Sequence, residues 1–149
     1  MKTKIHALAG TIGFLTILTF WTSTLVSELF GSYETIAWVK DMIMQGMFIL
    51  IPAMAIVGAS GMSLGKQSFH PLVAKKKKRM PFIGINGLLI LVPAAFYLET
   101  QASAGIFDTR FYIVQVIELI AGAINLSLMG INIRDGLRIT RRIGAGKPN

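Results

Sequence analysis

The stretch 42-MIMQGMFILIPAMAIVGASGMSL-64 contains no charged residue. As a helix rising 1.5 Å per residue, such a run covers a hydrocarbon core of about 30 Å. It is too long and too uniformly apolar for a strand, and its polar residues are small. It reads as a membrane-spanning helix, and the rest of the chain can be tested against that possibility.

Three other stretches have the same character. With the first they predict spans at about 7–30, 42–64, 82–98 and 111–133. The span at 82–98 has little length to spare. The 7–30 run has the position of a signal peptide, but it is long and lacks a small-x-small cleavage site, so it is expected to be a retained helix. Composition agrees. Of 149 residues, 53% are hydrophobic, and the mean hydropathy is +0.62. The expectation is a single all-α domain, an integral membrane four-helix bundle over residues 1–149, with no internal repeat.

The chain carries a formal charge of +8, which in a soluble protein would point to nucleic acid. Placement argues otherwise. Lys2 and Lys4 precede the first span. Lys66, Lys75, Lys76, Lys77, Lys78 and Arg79 lie between the second and third. Arg134, Arg138, Arg141, Arg142 and Lys147 follow the fourth. Thirteen of the 15 basic residues thus share one side. The positive-inside rule places that side, with both termini and a basic loop at 65–81, in the cytoplasm. A bacterial inner-membrane location is expected. The basic cluster is read as a topology anchor touching anionic headgroups, with no nucleic-acid partner.

No cysteine is present, which excludes disulfides and thiolate metal sites. The only histidines, His6 and His70, both fall on the basic side. Pro71 biases His70 toward extended backbone, where the second helix has ended. Facing histidines on a helical bundle are a route to axial haem ligation. Glycines gather at the same depth: Gly10 and Gly13 share a face with His6, and Gly58, Gly61 and Gly65 form one stripe. They would admit either a neighbouring helix or a flat cofactor. Lys66, Arg79, Arg134 and Arg138 are candidate partners for propionates.

The fourth span has a polar face. Gln115, Glu118, Gly122, Asn125, Met129 and Asn132 follow one another at steps of three and four. Polar groups facing lipid are costly, so this face should look into the bundle. Glu118 is expected to pair with Lys40 or Arg110, or to serve as a protonatable group near a quinone or proton path. Pro52 and Pro93 should bend their helices. The methionines read as adaptable core fillers.

The near-terminal "IHALAGTIG" and the second histidine in "SFHPL" resemble the small membrane-anchor b-type cytochromes, such as succinate dehydrogenase anchor subunits. The resemblance is architectural. It implies a bundle holding haem b between His6 and His70 as axial iron ligands, with Gly10, Gly13 and Gly61 lining the site and Arg79 and Arg134 beside it. The implied function is electron transfer with quinone or a redox partner subunit. Against it stand a non-catalytic subunit of a larger complex or oligomer, packing through its glycine faces, and a small transporter or channel. No nucleophilic or hydrolytic constellation is visible, so a self-contained enzyme is not indicated.

Overall fold

The computed structural model describes residues 2–65 and 71–145. These residues form an all-α bundle in which four helical segments are long and apolar enough to cross a membrane: Thr3–Phe30, Tyr33–Leu64, Lys78–Ser103 and Thr109–Arg138. Each contains the corresponding predicted span and extends beyond it. Helix α1 covers Lys2–Phe30 and α2 covers Tyr33–Gly65. The third span is composite: α3 (Pro71–Asn86), a π-helical turn (Gly87–Leu91) and α4 (Val92–Ser103). Helix α5, Thr109–Ala145, is the longest.

The expected basic loop at 65–81 is corrected from Pro71 onward, because 71-PLVAKKKKRM-80 is helical. Proline suits the first turn of a helix, where its missing N–H would be unpaired anyway. Ala, Lys, Arg and Met are all good helix formers. Helix α3 therefore starts outside the apolar run and carries Arg79 inward on a fixed face.

Pro52 lies inside α2, which continues through it as one helix. Pro93 has a clearer effect. It sits in the first turn of α4, immediately after the π turn, where the Val92 N–H donates to the carbonyl of Gly87 five residues back. Such a bulge re-registers a helix by one residue where an i to i−4 bond is missing.

The helices form a ring. Helix α1 packs along α2 and α5, and the composite third span also packs against both α2 and α5. Among the described residues, α2 and α5 do not approach at the backbone level, so they face each other across a diagonal. The hairpin between α4 and α5 turns at Gly105, whose φ of 70° lies in the left-handed region that glycine tolerates.

The apolar residues divide between two environments. Leu8, Leu15, Phe48, Ile49, Leu88, Leu89, Ile113 and Ile120 point outward, as a lipid-facing surface requires. Inside, Phe111, Leu98, Ile36 and Ala102 form a cluster near the two hairpin loops, and Ile17, Ile83 and Met129 form another toward the basic end. Close approach between α1 and α5 depends on Gly122. A Cβ built there would lie 2.9 Å from Trp21 Cδ1, while Trp21 Nε1 donates to the carbonyl of Leu119 at 2.9 Å. The Gly122→Ala substitution should displace the indole and cost about 1–3 kcal/mol. Gly58→Ala, at a position with open space around it, should be close to neutral. Thermal unfolding of the two variants in detergent, followed by circular dichroism, checks the contrast.

Candidate functional site: a polar seam along α5

The polar face of α5 is buried except at Glu118, which is half-buried. Gln115, Asn125 and Asn132 are 3%, 1% and 7% exposed, and Asp135 extends the face at 3%. From Glu118 to Asp135 the seam runs about 25 Å along the helix axis. It has three stations, each joined to a different part of the bundle.

The station near the hairpin loops crosses the diagonal. Lys40 on α2 is 1% exposed, and its Nζ lies 3.0 Å from Glu118 Oε2. Gln115 Nε2 donates to the same oxygen at 3.0 Å. Helix α1 closes the third side with Thr24 and Ser27, 2% and 3% exposed, and with Glu28. Glu28 is within electrostatic reach of both Lys40 and Glu118. Two acceptor atoms here, Glu28 Oε1 and Gln115 Oε1, are buried without a hydrogen-bond partner.

The middle station sits beside the π turn. Asn86 Nδ2 donates to Asn125 Oδ1 at 2.9 Å and to the carbonyl of Ala121 at 2.8 Å. Asn125 Nδ2 donates to the carbonyl of Ile83 at 3.3 Å. The Cβ position of Gly87, the first residue of the π turn, lies in ordinary contact at 3.6 Å from Asn125 Nδ2.

At the basic end, Arg79 Nη1 donates to Asp135 Oδ2 at 2.8 Å and to Asn132 Oδ1 at 3.3 Å. Arg134 approaches Asp135 at 3.7 Å but is 60% exposed, so its contribution is small. Arg79, Phe82, Asn86, Ile124 and Leu128 line a groove of about 380 Å³ between α3 and α5, connecting the middle and basic stations at the bundle surface.

Of the two histidines expected as haem ligands, His6 is among the described residues. His70 and Lys66 fall outside the described residues. His6 is half-buried, with Nδ1 2.9 Å from Ser60 Oγ on α2. Ser60 gives its own proton to the carbonyl of Ile56, so the histidine N–H donates to the serine. The glycine positions near His6 are met by side chains from neighbouring helices. Met80 fills the Gly61 notch, with its Sδ 2.9 Å from a Cβ position built there and His6 Cε1 at 3.3 Å. Gly13 is closed by Met54 Sδ at 3.2 Å and by Met129. Gly10 meets Val57 in ordinary contact. Of the three arginines expected beside propionates, Arg79 and Arg134 turn to Asp135, and Arg138 is within its electrostatic reach. Among the described residues, no group of three or more His, Asp or Glu side chains is placed to hold a metal ion.

The seam gathers residues that periodicity along α5 did not reveal: Thr24, Ser27 and Glu28 on α1, Asn86 on α3, and Asp135. The α1 trio does share a helical face with Gly13 and Ile17, which was the available signal. No protein-family profile, curated protein or solved structure matches the chain.

An ammonium this deeply buried depends on its carboxylate, and a carboxylate left alone in such a place is strongly destabilising. Lys40→Met should cost about 3–5 kcal/mol, whereas Lys40→Met combined with Glu118→Leu should recover most of that loss. A double-mutant cycle by reversible unfolding in mixed micelles measures both.

Proposed function

We propose that this chain is a small multi-pass membrane protein that handles protons or small cations along the polar seam of α5. The observation that carries this is Lys40, 1% exposed and tied to Glu118 across the diagonal of a bundle of membrane-length helices. Ionisable groups inside a membrane bundle are costly and mark ion pathways and relays. Further support comes from continuity. Glu118, Asn125 and Asn132 recur every seven residues, about 10 Å apart. The stations lie at both ends and the middle of the span, and a π turn, a feature frequent at functional sites, stands beside the central one. By charge placement, the Lys40 end faces outward and the Arg79 end faces the cytoplasm.

Two other roles make different demands. A haem b electron carrier requires Met54 and Met80 to withdraw and a second ligand to approach His6. A purely structural subunit requires only that the polar pairs hold the helices together.

The purified chain in proteoliposomes carrying an internal pH dye, under an imposed potassium diffusion potential, separates these roles. Ion handling predicts a flux that Glu118→Gln and Asn125→Leu largely remove while their helical circular dichroism is retained. Wild-type vesicles no leakier than empty ones would sink it. An absorption spectrum of the same preparation, oxidised and dithionite-reduced, addresses the haem role. A Soret band that disappears in His6→Ala would replace the ion-handling role with electron transfer.

A further inference from the structure

The station near the hairpin loops has more acceptors than its neighbours satisfy. It contains two carboxylates, Glu28 and Glu118, and one ammonium, Lys40. Lys40 pairs with Glu118. One negative charge is left over when all three groups are ionised, and it belongs to Glu28. The unpartnered atoms carry the same message. Glu28 Oε1 is buried and unbonded, and so is Oε1 of Gln115, a side chain 97% removed from solvent since it is 3% exposed.

The Gln115 amide cannot be reversed to remove the discrepancy. Its nitrogen donates to Glu118 Oε2, and exchanging the amide atoms would set two acceptors against each other. Both unsatisfied atoms are therefore oxygens, and both need a donor or a cation. Buried acceptors without partners are rare, and each normally meets a water, a proton or an ion. Hard oxygen donors of this kind suit a small hard cation. A missing charge of one, rather than two, selects a monovalent species.

We infer that Glu28 and Gln115, flanked by the Lys40–Glu118 pair, form a site for one monovalent cation, a proton or Na⁺. The groups facing Glu28 are Lys40 from α2 and Glu118 and Tyr112 from α5. Tyr33 of α2 stands beside Tyr112. Both tyrosines are substantially exposed, at 42% and 62%, so the site is reached from the hairpin-loop end of the bundle. Thr24 and Ser27 are buried on the same helix as Glu28. The site rests on the ion-handling role proposed above and gives that role its entry point.

The test uses the full chain in detergent and reads binding without transport. Infrared difference spectra between acid and alkaline pH, with Na⁺ or with choline as the only other cation, report protonated carboxyl groups directly. The expected result is a carboxyl band that Glu28→Gln removes. If Na⁺ but not choline displaces the band, the site takes either ion. If Na⁺ has no effect, it takes the proton alone. Gln115→Leu keeps Glu28 in place and should weaken occupancy about tenfold, the loss of one hydrogen bond to a charged group. This second variant carries the test if Glu28→Gln does not fold. A carboxyl band left unchanged by both substitutions would overturn the site, as would the lack of any carboxyl band in the wild type. Binding without vesicle flux would keep the site and remove the transport role. Flux without binding would do the reverse.

Discussion

A bilayer core offers no water to a buried amide, carboxylate or ammonium, so each such group must find its partner within the protein. That constraint organises this bundle. Glu118, Asn125, Asn132 and Asp135 all lie on one face of α5, and each is met by a group from another helix: Lys40 from α2, Asn86 from α3, Arg79 from α3. Because the pairs are unlike one another, they also select the arrangement. A rotation of α5 by one residue would bring leucine or isoleucine to the places of Glu118, Asn125 and Asn132 and turn charge toward lipid.

The Lys40–Glu118 pair joins two helices whose backbones do not approach each other. Helices α2 and α5 lie across the diagonal, and Lys40 spans the gap with a long side chain. A lysine stem can cover apolar surface while its ammonium reaches a carboxylate, so a single residue bridges the width of the interior. The aromatic and glycine contacts then set how closely the remaining helices approach. Trp21 settles on Gly122, and Phe20 packs against Gly46. Methionine does similar work at the basic end, where Met54, Met80 and Met129 fill the notches left by Gly13 and Gly61.

Much of the fold was legible from local pattern. The four apolar runs, the inward turn of the α5 stripe and the pairing of Lys40 with an acid all follow from transfer costs that a residue carries wherever it is placed. Less legible were the features that arise between segments. Helical backbone through the KKKKR run has local causes, but its consequence, Arg79 of α3 reaching Asp135 of α5, is visible only in the fold. The π turn before Pro93 depends on a missing N–H in a helix whose flanking residues are already held by Asn125. Glycines beside His6 are equally compatible with a cofactor or with a methionine from another helix. Only the fold puts Met80 there.

The sequence by itself determined an all-α chain with four membrane-length helices and a polar face on the last of them, because hydrophobic run length and helical period are properties of neighbours along the chain. Tertiary structure alone decided that Glu28, from a helix with no polar stripe of note, would stand beside Lys40 and Glu118. It likewise decided that two oxygen atoms there would lack donors. Charge balance at a buried site is a sum over helices distant in sequence, and it exists only once those helices have been brought together.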